Sequence, residues 1–353
     1  MTDFRKLLIV RLSSLGDIIH TLPAYESLRA AFPEARIDWL VERRLAFLLT
    51  AVDGIDRILP IDTHALRENF QRLKGWQMFW EPIRAARARR YDVAIDFQGL
   101  LKTSFLSLLS GATTRIGFSK PLVRERPAHW LYHRTLKDPG SPMHVARLNI
   151  LLAGEAGARS GDLRARLTAR DEDKQAIESL LHREQLSEFV VLDPGGGWPT
   201  KRWKPARYGS LASRVEKELQ LRAIVVTGPG EEPLYQQIAE GCTEPLPVHL
   251  RIPFLQLIPL LRSARLLVAG DTGPLHLACA LETPVVAIMG PTSPVRNGPW
   301  SEIDEVVVHH LPCSFCNRRS CPTANECMDI SVEEVFAAVV RRLERTKHPE
   351  TLP

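Results

Sequence analysis

The sequence predicts two doubly wound α/β domains in tandem, and three observations carry that prediction. A chain of 353 residues exceeds what a single core usually organises. Its apolar residues gather in short runs separated by helical patterns, as parallel strands with helical crossovers require. The pattern also starts twice, each time with a strand entering a loop of small residues, SSLGD at 13–17 and PGGG at 194–197.

Taken in order, the first half opens with a strand at Lys6–Val10, then a helix expected over about Asp17–Ala31 and a strand at Arg36–Val41. Further strands are expected at Asp56–Ile61, Tyr91–Phe97 and Thr113–Phe118. The stretch 154–161, rich in Gly, Ala and Ser, marks the change of domain, giving expected domains of 1–162 and 163–353. The second set of strands is expected at Phe189–Asp193, Leu221–Thr227, Ala264–Ala269 and Pro284–Met289. The last helix of the second domain is expected to return toward the first. Two Rossmann-like domains facing one another would place a ligand in a central cleft at the strand C-termini. Neither glycine loop has the G-x-G-x-x-G spacing, which disfavours a dinucleotide cofactor.

The apolar share of 44% and charged share of 25% are those of a globular protein rather than a disordered or fibrous one. No apolar run approaches the roughly 18 residues of a spanning helix, and Leu7–Val10 is too short for a signal peptide's core; a cytoplasmic protein is expected. The net charge of +5 is unevenly spread: residues 1–160 hold 24 Lys+Arg against 16 Asp+Glu, the rest 22 against 25. The first half is therefore +8 and the second −3, which suits an anionic partner for the first, either a charged substrate or an acidic membrane surface. No nucleic-acid partner is expected. Cys313, Cys316, Cys321 and Cys327 are separated by two, four and five residues. These thiols could serve zinc, but the spacing misses the paired C-x2-C repeat, so no metal is required by the reading.

The window GDTGPLHLACALETPVVAIMGPTSP at 270–294 runs from a strand through a tight loop into a helix. Pro274 suits the first helical turn, so the amides of Thr272 and Gly273 can face an anion near the positive helix end. A helix capped by Asp271 or Thr272 would look the same without a ligand. In PGGGWPTKRW at 194–203, Gly196 and Gly197 allow close approach of backbone amides and Lys201 adds a point charge. Two such loops in one domain point to a nucleotide diphosphate donor. In the first domain, Asp17 follows Gly16 at a helix start, where it is either a cap or a general base toward an acceptor hydroxyl. A basic stretch with aromatics, including Arg67, Lys74, Trp76, Trp80, Arg87 and Arg90, joins Lys120, Arg124 and Arg126 as a surface for an anionic glycolipid or a membrane. Ser14, Gly16, Arg67, Lys74, Arg124 and His144 are the acceptor-side candidates.

RLSSLGDIIHTLPA, IDWLVE at 37–42, YDVAIDFQGLLKTS at 91–104, TKRW at 200–203 and GDTGPLHLACAL with VVAIMGPTSP, in this order, resemble glycosyltransferase family 9, the lipopolysaccharide heptosyltransferases. The resemblance runs to about Pro299. It implies a GT-B fold and inverting transfer of L-glycero-D-manno-heptose from ADP-heptose, with no further cofactor, to Kdo-lipid A at the cytoplasmic face of the inner membrane. It also implies Asp17 as base, Lys201 on the donor, Asp271, Thr272, Gly273 and His276 around heptose and diphosphate, and Glu231 or its neighbour Glu232 near the adenosine ribose. Early segments and RERPAHWLYHR at 124–134 are similar to members adding the first heptose; CSFCNRRSCPTANECM at 313–328 is similar to those adding a later one. Where first-heptose members typically carry adjacent threonines, this chain has Gly196 and Gly197, which implies backbone amides in place of hydroxyls. A nucleotide-sugar epimerase of the same fold and a non-catalytic sugar-nucleotide sensor are the competing readings.

Overall fold

The computed structural model describes residues 4–63, 73–158, 161–163, 165–243 and 245–347. The chain divides into two compact units, Met1–Thr168 and Ala169–Pro353. The division falls six residues beyond the boundary expected at 162 because the connecting segment is fastened to the first unit. Leu167 bridges Val52 in antiparallel fashion, the Thr168 amide donates to the Ala51 carbonyl at 2.7 Å, and the Thr168 hydroxyl donates to Asp53 at 2.7 Å.

In the first unit the strands β1 (Lys6–Val10), β2 (Arg36–Glu42), β3 (Arg57–Ile61), β4 (Val93–Asp96), β5 (Thr114–Phe118) and β6 (Arg134–Leu136) form one sheet in the order β3-β2-β1-β4-β5-β6. Every pairing is parallel; Leu7 of β1 stands beside Ile37 on one side and Val93 on the other. Parallel strands covered on both faces need apolar residues without alternation, and KLLIV meets this with four consecutive buried positions. Leu8, Val10, Leu40, Ile61 and Ala94 pack with Ile83 and Leu106 from flanking helices.

The second unit repeats the plan with β7 (Phe189–Asp193), β8 (Arg222–Val226), β9 (Val248–Leu250), β10 (Leu266–Gly270), β11 (Val285–Met289) and β12 (Glu305–Val308), in the order β12-β11-β10-β7-β8-β9. Counted from its own first strand, this is the same 3-2-1-4-5-6 order as in the first unit, the Rossmann arrangement. Its core joins Val190, Leu192, Val225, Val268 and Ile288 to Trp203 and Tyr208. The final helix, Val332–Lys347, lays Val335, Phe336, Val339 and Leu343 into that same core.

Nine of the twelve strands among the described residues coincide with those expected, within a few residues at each end. The three that sequence reading omits, β6, β9 and β12, lie at sheet edges and have only three or four residues. The helix expected over 17–31 is interrupted, forming Leu15–Ile19 and Leu22–Ala31. Pro23 in the first turn of the second helix has no N–H to continue the ladder. Asn149 supports the break, its side-chain amide donating to the His20 carbonyl at 3.0 Å and to the Thr21 hydroxyl at 3.3 Å.

Candidate functional site

Order reversal in a doubly wound sheet opens the C-terminal ends of its two central strands to ligands, and in the second unit these strands are β7 and β10. PGGG follows β7 and DTGP follows β10. A carboxylate that closes β7 fastens the two loops together: Asp193 accepts the Thr272 hydroxyl at 2.5 Å on Oδ2 and the Gly195 amide at 3.2 Å on Oδ1. Burial pushes the Asp193 carboxyl up to about 6, against the lowering effect of the Thr272 hydrogen bond. Gly196 has φ +146°, a backbone conformation open essentially to glycine alone. Gly197 follows it with open space where a Cβ would stand.

Asp271 ends the approach to the helix Gly273–Ala280 and is held from two sides. Lys201 Nζ stands 2.7 Å from Oδ2 and His276 Nε2 stands 2.9 Å from Oδ1. Burial raises its carboxyl, but the His276 hydrogen bond and the charges of His276 and Lys201 prevail and hold it well below the usual carboxylate range. Lys201 also lies over the Trp198 ring, 4.3 Å from its centroid, so the ammonium is fixed by an acid and an aromatic face while keeping N–H capacity for a further anion. Thr272 caps the helix in extended conformation with Pro274 in the first turn, leaving the Gly273 amide with no carbonyl further up the helix.

In the first unit the central strands are β1 and β4. Gln98 Oε1, just past β4, accepts the Leu12 amide at 2.8 Å, and the buried Arg11 guanidinium donates to the Phe97 carbonyl. The loop between them delivers Asp17 at the third position of the helix Leu15–Ile19. Its Oδ2 accepts both the backbone amide and the hydroxyl of Ser14 at 3.0 Å. Its Oδ1 meets Arg11 at 2.5 Å and Arg124 at 3.2 Å. Burial alone would raise the Asp17 carboxyl; the charges of Arg11 and Arg124 and the bonds from Ser14 outweigh it and hold the group far below the ordinary carboxylate range. Ser14, not Asp17, is the N-cap of this helix; Asp17 sits three residues on, completes the capping box by accepting the Ser14 amide, and is a charged centre at the same time.

The model of "Glycosyltransferase family 9 (heptosyltransferase)" matches residues 79–326 of this chain. The chain belongs to glycosyltransferase family 9. Among curated relatives of this family 9 glycosyltransferase, lipopolysaccharide heptosyltransferase 1 of Pseudomonas aeruginosa is 30% identical over 330 residues, covering 90% of this chain and 87% of the relative. Among solved structures, a family 9 glycosyl transferase from Veillonella parvula superposes with a TM-score of 0.80 at 20% identity, covering 97% of this chain and 98% of the other. The E. coli heptosyltransferase WaaC, solved with ADP-2-deoxy-2-fluoro heptose, superposes with a TM-score of 0.74 at 22% identity over 95% and 99%. The fold is that of these GT-B enzymes, and the epimerase and sensor readings give way to a glycosyltransferase.

Within the family 9 chain, Gly196, Gly197, Lys201, Asp271, Thr272, Gly273 and His276 come together at the two loops of the second unit. Glu231 joins them through bonds to the loop amides. The turn at Gly228–Gly230 returns its carboxylate over the glycine loop, where it accepts the amides of Gly196 at 3.0 Å and Gly228 at 2.8 Å. The Gly196 amide is therefore already engaged, and Gly197 joins Thr272 and Gly273 as the amides to meet an anion. Ser14, Gly16 and Arg124 gather around Asp17. His144 instead caps the helix Val145–Gly154, accepting the Ala146 amide at 3.2 Å, and its ring meets His20 edge-on. Arg67 lies outside the described residues, and of Lys74 the backbone alone is described, within the helix Leu73–Arg89. The four C-terminal thiols lie near enough for Cys313, Cys316 and Cys321 to add to the burial that raises the Cys327 thiol. Among the described residues no group of three His, Cys, Asp or Glu is placed to hold a metal. Arg11, Gln98, Asp193 and Arg202, which donates to the Gly196 carbonyl at 2.9 Å, were missed by sequence reading; a carboxylate closing a fully buried strand immediately before glycines was the available signal for Asp193.

Proposed function

We propose that the chain transfers L-glycero-D-manno-heptose from ADP-heptose to a Kdo sugar of the lipopolysaccharide inner core. The observation that carries this reading is the joining of the loops after β7 and β10 through Asp193 and Thr272, which sets the Gly197 and Gly273 amides and the Lys201 ammonium at one sheet edge. Such a set suits a diphosphate. The heptosyl group is supported by the relative from Pseudomonas aeruginosa, and the ADP portion by the ligand of the E. coli structure.

In the proposed reaction the acceptor hydroxyl gives its proton to Asp17 as its oxygen bonds to heptose C1. The bond from C1 to the diphosphate oxygen breaks, and its electron pair leaves with ADP. A single displacement inverts the anomeric centre. Charge building on the departing diphosphate is met by fixed amides and by Lys201, the preorganised electrostatics that dominate many enzymes. The acceptor being a glycolipid, the chain works as a peripheral enzyme at the cytoplasmic face of the inner membrane, drawn by the +8 charge of residues 1–160.

The test is incubation with ADP-heptose and Kdo2-lipid A while ADP release and glycolipid mass are followed together. A gain of one heptose per ADP is expected, and Asp17→Asn is expected to abolish transfer while keeping donor affinity within a few-fold. Normal turnover by Asp17→Asn would reduce the residue to its place in the capping box. The cysteine-bearing tail favours a second acceptor class, a core already carrying heptose; gain of mass on that acceptor alone would replace Kdo with heptose as the receiving sugar.

A further inference from the structure

Two guanidiniums meet at one carboxylate oxygen of Asp17. Arg11 is buried and pairs with Asp17 at 2.5 Å, forming a neutral couple beneath the surface. Arg124 adds a second guanidinium on the same carboxylate oxygen at 3.2 Å, and its side chain is 44% exposed. Its backbone is fixed, the amide donating to the Gly99 carbonyl at 3.1 Å, while Asp17 is the partner the structure records for its guanidinium. The two guanidiniums repel one another, each close enough to Asp17 to affect the other. The other charged group facing this pair is Asp96 at the end of β4, which is buried behind Arg11 and accepts the Tyr132 hydroxyl at 2.6 Å. Arg124 is thus the outermost member, paired on the solvent side of Asp17, and the one that can leave without stranding a buried charge.

A general base gripped on both its oxygens is a poor one. Ser14 donates twice to Oδ2, while Oδ1 accepts a hydrogen bond from Arg124 and lies in ion-pair contact with Arg11, so an incoming hydroxyl must displace one of these partners to reach the carboxylate. Loss of Ser14 would undo the helix cap, and loss of Arg11 would strand a buried cation. Departure of Arg124 leaves the neutral couple intact.

We propose that Arg124 is a movable counter-ion: an anionic group of the acceptor draws its guanidinium off Asp17, and this frees the carboxylate to take the acceptor's proton. The inference rests on the reading of Asp17 as base. A carboxylate or phosphate on the acceptor offers Arg124 a bidentate partner, whereas water offers none. The base is therefore weak in the absence of acceptor and strong in its presence, which protects the activated sugar from hydrolysis.

The deciding experiment compares pH profiles of the wild-type enzyme, Arg124→Ala and Arg124→Lys with ADP-heptose saturating and Kdo2-lipid A varied. The limb of kcat/KM on the acid side reports Asp17 before the acceptor binds, and that of kcat reports it afterwards. In the wild type the kcat limb is expected about one pH unit or more above the kcat/KM limb, since an adjacent opposite charge lowers a carboxyl by about that much. Arg124→Ala is expected to raise the kcat/KM limb to meet the kcat limb, to raise the acceptor KM roughly tenfold, and to release ADP faster when no acceptor is present. Arg124→Lys restores the separation of the limbs. Coincident limbs in the wild type, or an alanine variant that changes KM without moving the kcat/KM limb, would overturn the counter-ion while leaving Asp17 as base. Full turnover by Asp17→Asn would instead remove the base itself.

Discussion

Asp193 shows how one residue links stability to ligand geometry. Its carboxyl is buried and raised from its ordinary value to about 6, so the folded state favours the protonated form. A raised folded pKa contributes stability below the unfolded value near 4 and loses it as pH climbs through about 6. At pH 7.5 the ionised Asp193 therefore costs the fold about 3 kcal/mol, two pKa units at 1.36 each. Asp193→Asn keeps an acceptor for the Gly195 amide and a partner for the Thr272 hydroxyl, and it removes the charge. The variant is expected to melt higher than wild type at pH 7.5 and to lose the wild type's fall in Tm between pH 4 and 6.5; parallel Tm profiles would mean that the loops, not the charge, set the stability there. The residues of this site were legible in the sequence wherever a glycine, a proline or a cation declared a loop's chemistry, as at Gly196, Pro274 and Lys201. They were illegible where the role depends on a partner distant in sequence: Asp193 meets Thr272 seventy-nine positions away, and Arg11 meets Phe97 across eighty-six.

Elements obey the same division. Central strands were readable because burial on both faces demands unbroken apolar runs, and KLLIV and FVVLD satisfy it. Edge strands such as RTL and VHL pair on one side only and need no such run, so their composition matches loops. The interrupted helix after Asp17 was hidden because Asn149, far along the chain, satisfies the backbone groups at the break. Packing between helices carries a further constraint of this kind. Pro205–Leu219 and Glu232–Glu240 approach through two glycines: a Cβ on Gly209 would stand 2.1 Å from the Ile238 carbonyl oxygen, and one on Gly241 would stand 2.1 Å from that of Ala206. Both obstacles are backbone, so no side chain can rotate away. Gly209→Ala is expected to destabilise the second unit by about 2–3 kcal/mol, read as a lower urea midpoint at unchanged slope. An unaltered midpoint would show that the helices can part without loss.

At the scale of the whole molecule, one strand order occurs twice with different chemistry at each switch point. The first unit places a carboxylate and cations at the ends of β1 and β4, the second places amides and one lysine at the ends of β7 and β10. Net charge does not explain the second site, because the −3 of residues 161–353 would repel a diphosphate. Attraction must come from local donors, the Gly197 and Gly273 amides and Lys201, with Asp271 held by Lys201 and His276 and Glu231 occupied by loop amides. Every group assigned to the donor lies within Ala169–Pro353, and that unit has a complete six-stranded sheet and its own core. A compact unit with its own core can fold alone. Residues 169–353 expressed without the rest are therefore expected to unfold cooperatively and to bind ADP within about tenfold of the full chain, a difference of about 1.4 kcal/mol, by titration calorimetry. ADP should also raise the Tm of this unit, since a ligand that binds only the folded state stabilises it. Residues 1–168 should show neither effect. A second unit that folds but ignores ADP would mean that donor binding needs groups from the first, whereas failure to fold would show that the two sheets, despite separate cores, form one cooperative structure.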